Sequence, residues 1–271
     1  MIGRLQHFFA GNRLALAAFA VVSAFVLLAL AVEVYGAWCD CRNIQPVYAV
    51  GDPAASYAPP SARHWFGTDY QGRDVLLRAL AGSATAVKVG VIASLIAAVI
   101  GTVLGLLAGF YGGKLDDLVV WVYSTFAAMP TLLFILAFAL LAKGNFMAAP
   151  VAELFKGLGV LLRAEPGMLA VYLAIGLSCW VTLCRVVRSE VMKIRNYPYI
   201  AAARVSGQRS WVIMFRHLLP NVFHLVIIYF TLTFAGAIMS EVIVSYLGVG
   251  VQNAPSWGVM IADGQERLWR G

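Results

Sequence analysis

The chain has 271 residues, of which 61% are hydrophobic and only 12% are charged. Soluble domains have roughly 45–50% apolar and about 25% charged residues, so the composition excludes an ordinary soluble protein and predicts an all-α polytopic membrane protein. The formal net charge is +7, and much of the excess lies in residues 185–217. No basic soluble domain with base-reading groups accompanies that charge, which excludes a nucleic-acid-binding module.

Four or five apolar runs are long enough to cross a bilayer, whose hydrocarbon core of about 30 Å needs about 20 helical residues. The first run is too long for the apolar part of a signal peptide and lacks a small-x-small cleavage site. We interpret it as a membrane anchor with its N-terminus in the cytoplasm. The five predicted spans cover approximately residues 14–35, 87–111, 118–141, 168–187 and 218–247.

These spans divide the chain into three parts. Residues 1–35 form a short cytoplasmic segment and the first span, residues 36–86 an extracytoplasmic loop, and residues 87–271 the main transmembrane domain. Alternation of the spans places the basic loop 185–217 in the cytoplasm. Loop Lys and Arg residues favour the same side during insertion, so the two arguments for orientation agree.

The extracytoplasmic loop contains a dense motif at residues 64–75, with aromatic anchors and two turn glycines. Thr68 or Asp69 is a candidate helix cap, and Arg73 lies between two carboxylates. We expect a compact turn followed by an amphipathic helix that begins near Arg73. The alternative is an interfacial anchor with a solvated charge pair. The candidate residues are Gly67, Thr68, Asp69, Gly72, Arg73 and Asp74.

The basic loop has more pattern than a tether needs. Asn196-Tyr197-Pro198 is typical of a helix start, because proline is tolerated in the first helical turn. An alanine-rich helix follows, Gly207 marks a break, and a second amphipathic piece runs into Leu219-Pro220. We therefore expect a short helical elbow on the membrane surface.

Three blocks of the sequence resemble the peptide/nickel class of ABC-importer permeases, in particular the second permease subunit of dipeptide and oligopeptide systems. The first is the motif at 64–75. The second is the elbow, which is similar to the ATPase-coupling motif of that class at Gly207 and at Leu219-Pro220. The third comprises residues 245–250 and 255–260. The blocks occur in the family's order from about residue 64 to the end of the chain.

The resemblance implies a permease subunit of an ATP-driven importer for di- or oligopeptides, which forms half of a translocation pore in the cell (inner) membrane and is not an enzyme. Its partners would be a second homologous permease, two ATP-binding cassette subunits and an extracytoplasmic solute-binding protein. ATP and Mg would be bound by the cassette subunits, and no cofactor or metal is expected in this chain. A nickel or other small-solute importer of the same class remains an alternative.

The resemblance also implies a set of ATPase-coupling residues in the elbow. The family's motif glutamate is replaced by Ala201, so any charge contact made by that glutamate is missing here. The class has six spans and about five are visible here; truncation, a five-span protein and a sixth helix supplied otherwise all remain open. The implied coupling residues are Ala201, Ala202, Ala203, Arg204, Gly207, Arg216 and Pro220.

Candidates for the translocation path or gate come from breaks and charges within the spans. Met129-Pro130 should kink the third span, either to line the path or only for packing. Glu241 is costly inside a span unless it faces a bundle interior or water, although it could also lie near the outer end of the fifth span. Gly248 and Trp257 complete this set.

Two further features concern helix packing and possible catalysis. Gly101, Gly105 and Gly109 have the Gly-x-x-x-Gly spacing that allows close helix approach to a partner, which the sequence does not identify. A membrane scaffold or an intramembrane enzyme is the alternative from another functional class. The enzyme would need a polar dyad in adjacent spans, and nothing pairs the candidates Ser178, His224, Ser240 and Glu241.

Overall fold

The computed structural model describes residues 13–143, 166–250 and 254–270, together with the single positions 153 and 157. The described residues form helices and turns, with one isolated antiparallel bridge between Thr68 and Asp74 and no strand. Four of the helices are long and apolar enough to cross a membrane, or five if one bent pair counts as a single span. The predicted all-α polytopic fold is confirmed.

The helices are numbered in chain order. Residues Pro53–Ala55 add a short 3₁₀ turn between the first two. The helices are α1 (Arg13–Cys41), α2 (Val75–Tyr111), α3 (Gly113–Ala128), α4 (Thr131–Lys143), α5 (Pro166–Ile194), α6 (Pro198–Val205), α7 (Ser210–Tyr246) and α8 (Trp257–Arg270).

Two predicted boundaries were wrong because helices continue past the ends of the apolar runs. Helix α2 begins at Val75, which confirms the helix expected near Arg73, but this helix is continuous with the second span, so the loop ends before Val75 rather than at residue 86. Helix α5 continues to Ile194, because no helix breaker occurs before Asn196-Tyr197-Pro198. The first part of the supposed basic loop 185–217 is therefore a helix.

The third predicted span is two helices. Helices α3 and α4 meet at an angle of 91°. The break lies at Met129, which has the extended conformation (φ −85°, ψ 133°) that a following proline favours. Pro130 was predicted to kink the span. The structure confirms the position, but the 91° bend is much larger than a kink within one continuous helix.

The chain divides into two compact units. The first comprises Met1–Val87 and Asn253–Gly271, and the second comprises Lys88–Gln252. Residues 253–271 belong with the first unit, whereas the sequence assigned them to the main transmembrane domain.

Helix α5 is at the centre of the second unit. The glycine spacing on α2 finds its partner there: a Cβ added at Gly105 would lie 2.9 Å from the carbonyl oxygen of Cys184. The close approach buries a cluster of apolar side chains from α2, α5, α6 and α7. Its most buried members include Leu106, Val187, Val191, Ile200, Ile213, Leu218 and Val222.

Candidate functional site

The elbow, defined here as residues 195–218, consists of α6, a glycine turn and the start of α7. Proline at the first position of α6 suits a site whose N–H would have no partner in the helix. At the other end Gly207 has φ +73°, and the backbone N–H of Gln208 donates to the carbonyl of Ala203 at 3.2 Å. This left-handed glycine and long backward hydrogen bond are typical of a Schellman helix end.

One face of α6 is buried in the second unit. Ile200 is fully buried and Ala203 is 6% exposed, one helical turn apart. They lie in one apolar cluster with Ile213 and Leu218. Ala203 was predicted to be part of the coupling surface. Its burial corrects that prediction, because its side chain packs in the apolar cluster and holds α6 against the helices below it.

The opposite face of the elbow is exposed and largely free of charge pairing. Val205 is 90% exposed, next to the exposed pair Ala201 and Ala202. The Arg204 guanidinium lies 5.1 Å above the Phe110 ring. The exposed residues that could contact a partner are Ala201, Ala202, Arg204, Val205, Arg209, Trp211, Phe215, Arg216 and Pro220.

The second half of the elbow continues without a break into the long helix α7. Residues Ile213–Leu218 are π-helical, which fits the missing N–H of Pro220 just beyond. His217 Nε2 and Gln208 Oε1 are 3.0 Å apart across the turn. Asn221 donates to the His217 carbonyl at 2.6 Å. These contacts hold the turn in one shape.

Two cations of the predicted basic loop, Arg188 and Arg195, contact other helices of this chain. Arg188 on α5 forms a two-pronged ion pair with Asp116 at the start of α3, with N–O distances of 2.5 and 2.6 Å. Arg195 donates to the carbonyl of Gly109 at 2.8 Å. Asp116 was missed by the sequence analysis, although its place just after the Gly112-Gly113 turn marked it as a first-turn carboxylate.

A second compact region, the aromatic turn, comprises residues 52–74 in the first unit. Asp69 organises it by accepting the backbone N–H groups of Gln71 and Arg73 at 2.8 and 2.9 Å. The side chains of Arg73 and Arg78 also donate to it, at 2.7 and 2.5 Å. Burial alone would raise the pKa of Asp69, but the hydrogen bonds from Arg73 and Gln71 hold it below its ordinary value.

Turn glycines and a threonine complete the aromatic turn. Gly67 and Gly72 have φ values of +72° and +73°, as the sequence suggested. At Gly72 a Cβ would also collide with the Asp52 carbonyl. Thr68 Oγ1 donates to the Ala55 carbonyl at 2.5 Å and accepts the N–H of Ala58 at 2.8 Å.

The helix cap after this turn is Asp74, so the predicted caps Thr68 and Asp69 were wrong. Asp74 accepts the backbone N–H of Leu77 at 3.0 Å, and its other oxygen lies 2.8 Å from His64 Nδ1. Because α2 begins only at Val75, the earlier candidates are too far from the first helical N–H groups.

Arg78 was also missed, because one charge in an apolar stretch gives no hint of its partners. Its side chain is 5% exposed and bridges Asp69 and, at 3.5 Å, Asp263 of α8. Burial raises the pKa of Asp263, and this outweighs the opposing effect of Arg78. A cavity of about 250 Å³ lies beside this ion pair, with Tyr57 and Met260 among its lining residues.

The path candidates are divided between the two units. Trp257 lies in the first unit, where its Nε1 donates to the Ala79 carbonyl at 2.9 Å and its ring occupies the space beside Gly82. Glu241 lies in the second unit, 2% exposed near the end of α7, and accepts Ser245 Oγ at 2.6 Å. Gly248 has φ +77° just beyond that helix. Their roles in a path or gate stay predictions.

Comparisons with known proteins give the context of these features. Residues 101–269 match the family described as binding-protein-dependent transport system inner membrane component. The chain is 36% identical over 215 residues to the dipeptide transport system permease protein DppC of Bacillus subtilis, which covers 79% of this chain and 60% of the relative. The oligopeptide transport system permease protein OppC of B. subtilis is 29% identical, in an alignment that covers 97% of this chain and 78% of the relative. OppC of Escherichia coli K12 is 35% identical, in an alignment that covers 76% of this chain and 61% of the relative.

The alignment thus spans less than two thirds of the length of the first of these relatives. The matched family is one of transport-system components, and it confirms the resemblance together with the named permease relatives. Several apolar helices of spanning length make the chain a multi-pass membrane protein. It belongs to the family of inner membrane components of binding-protein-dependent transport systems.

Proposed function

We propose that this chain is a permease subunit of an ATP-driven importer for di- or oligopeptides and forms half of its translocation pore. The proposal draws on the family match and on relatives named dipeptide and oligopeptide permeases. The observation that carries it is the elbow, a short helix that is fixed on one face and exposed on the other.

The elbow has the properties of a surface that receives force from a partner. Its buried face, with Ile200 and Leu218, joins it to α2 and α5, so that a push on α6 moves those helices as one body. Its outer face presents small side chains and the exposed Val205. Closure of two ATP-binding cassette subunits would press on this face and shift the pore between two states.

The same proposal assigns the sides of the membrane and the partners. The elbow lies in the cytoplasm, because Arg204, Arg209 and Arg216 are exposed on it and loop cations favour that side. The N-terminus is then cytoplasmic, and the aromatic turn faces an extracytoplasmic solute-binding protein. A second permease completes the pore. ATP and Mg belong to the cassette subunits, and this chain needs no cofactor or metal.

Affinity purification from detergent-solubilised membranes tests this assembly. We expect the wild-type chain to recover a second permease and two P-loop ATPase subunits. Val205→Asp on the elbow should lose the ATPases, whereas Val50→Asp, a similar change at an exposed residue of the first unit, should keep them. A chain that purifies alone, or loses ATPases equally in both variants, would contradict the proposal.

The substrate needs its own test. Proteoliposomes that contain the purified complex and its binding protein should accumulate a labelled dipeptide in an ATP-dependent manner and should not accumulate labelled Ni²⁺. The reverse result would favour the nickel importer.

A further inference from the structure

In the second unit, a charged clamp formed by α5 and the first residue of the elbow holds α3 and the C-terminal end of α2. Its central contact is the Arg188–Asp116 pair, in which Nε and Nη2 each donate to a separate carboxylate oxygen at 2.5 and 2.6 Å. The side chains are only 23% and 12% exposed. Such a parallel two-pronged pair fixes orientation as well as distance, which a single ammonium contact would not do.

Arg195 forms the second part of the clamp. Its Nη1 donates to the carbonyl of Gly109 at 2.8 Å and lies 3.5 Å from that of Phe110, at the C-terminal end of α2. Carbonyls in the last turn of a helix have no partner within it, and a cation is favourable there. Arg195 is the first residue of the elbow, so the elbow itself holds the end of α2.

The clamp reaches α3 along more than one turn. Beyond Asp116, the guanidinium of Arg185 lies 4.8 Å above the Tyr123 ring. Further along, Phe126 and Trp180 meet edge to face with ring centroids 5.8 Å apart. One side of α3 is therefore held by α5 from its first turn almost to its end.

The far end of α3 is the 91° break at Met129-Pro130. Helix α3 is held by α5, and α5 leads directly into the elbow at Arg195, so a displacement of the elbow carries α5 and α3 together towards this bend. The bend allows α4 to change direction when α3 moves, because no helical hydrogen bond is donated by Pro130.

We propose that Arg188 and Asp116 are positioning residues that transmit displacement of the elbow to α3 and to the bent span. The pair contacts neither ATP nor peptide. It makes α3 follow α5 and the elbow, so that each ATPase cycle moves the bend. This inference rests on the proposed function, because it needs a partner that pushes the elbow.

The test measures the ATP hydrolysed per peptide imported by the complete complex in proteoliposomes. Asp116→Asn and Arg188→Lys should raise this ratio by about fivefold or more, the lower end of typical coupling between two sites. The control is Asp117→Asn, which removes the same charge from the exposed neighbouring residue and should leave the ratio unchanged.

The reversed pair, Asp116→Arg with Arg188→Asp, should give a ratio of ATP hydrolysed to peptide imported that lies between those of the single variants and the wild type. Restoration is partial because an arginine is unfavourable in the first turn of a helix. An unchanged ratio in Asp116→Asn, or the same rise in Asp117→Asn, would overturn the proposal. Failure of the wild-type complex to import peptide would instead count against the proposed function.

A distance measurement covers the case in which the variants assemble poorly. Spin labels at the exposed residues Asn196 and Trp121, neither of which lies on the proposed ATPase-contacting face, report the separation of the elbow from α3. When ATP and the binding protein are added, the distance between the labels should stay constant in the wild type. In Arg188→Lys the distribution of that distance should broaden. A wild-type separation that changes with ATP would contradict a rigid clamp.

Discussion

The elbow and the aromatic turn are both compact, but different forces hold them together. The elbow rests on fully buried aliphatic side chains, including Ile200 and Leu218, and apart from Arg195 it leaves its charged groups at the surface. The aromatic turn has a buried polar centre, in which Asp69 accepts four hydrogen bonds and Arg78 bridges two carboxylates.

This difference has consequences for movement and binding. Apolar packing is non-directional, so the elbow can move with the helices beneath it while its exposed face binds a partner. A buried polar network is satisfied in one geometry and is costly when partly broken. The aromatic turn is therefore built to keep its shape. Three changes can break or sharpen this contrast.

Loss of Arg78 should have the largest effect. Arg78→Ala leaves Asp263 without its buried ion-pair partner and removes one of the two arginines that pair with Asp69, and breaking a buried ion pair costs about 3 kcal/mol or more. Limited proteolysis should cut the aromatic turn much faster while the elbow is unchanged. Arg73→Ala is the milder control, because Arg78 still pairs with both Asp69 and Asp263. Equal cleavage of wild type and Arg78→Ala would show that the network does not hold the turn.

A substitution at Gly207 should have an intermediate effect, confined to the elbow. Its φ of +73° is strained for a β-branched residue by about 1–2 kcal/mol, so Gly207→Val should distort the turn between α6 and α7. We expect normal membrane insertion with peptide uptake uncoupled from ATP hydrolysis. Gly207→Asn is the matched control, because asparagine tolerates this conformation. Normal uptake by Gly207→Val would remove the elbow from the mechanism.

Acid should have the smallest effect and should act on the aromatic turn alone. The pKa of Asp69 is lowered, so its contribution to stability is present above the ordinary value of 3.8 and is lost as the pH falls through the lower folded value. Asp263 opposes this trend: its pKa is raised, so its contribution is present below 3.8 and is lost as the pH rises through the folded value.

The matched comparison for the acid prediction is Asp263→Asn. It removes the opposing group, so the loss of the aromatic turn below pH 3.8 should become steeper. Protease sensitivity of the turn and of the elbow, measured in parallel between neutral pH and pH 3, checks this. If the elbow becomes sensitive to protease at a higher pH than the aromatic turn, the contrast between the two regions would be contradicted.

Local signals in the sequence predicted much of this fold. Pro130 placed the break in the third span, Gly207 placed the turn of the elbow, and Gly67 and Gly72 marked the aromatic turn. Each of these residues acts through its own backbone, so its effect is visible without knowledge of the partner. Helix ends were less accurate, because apolar composition marks the membrane-spanning part of a helix and not its polar extensions.

Pairings between distant residues could not be predicted in this way. Arg78 and Asp263 are far apart in the sequence, and Asp116 and Arg188 lie on separate helices. Nothing in either local sequence identifies the other partner. The burial of Ala203, by contrast, was available from the sequence, because it lies one helical turn after Ile200 on the apolar face of α6.

Site-specific photocrosslinking in cells tests the central claim, that the elbow receives the ATPase. A photoreactive residue replaces Val205, which is 90% exposed on the elbow, or Trp65, which is 71% exposed in the aromatic turn. The account predicts that position 205 crosslinks to an ATP-binding cassette subunit and that position 65 does not. No ATPase adduct from position 205, or an ATPase adduct from position 65, would contradict it.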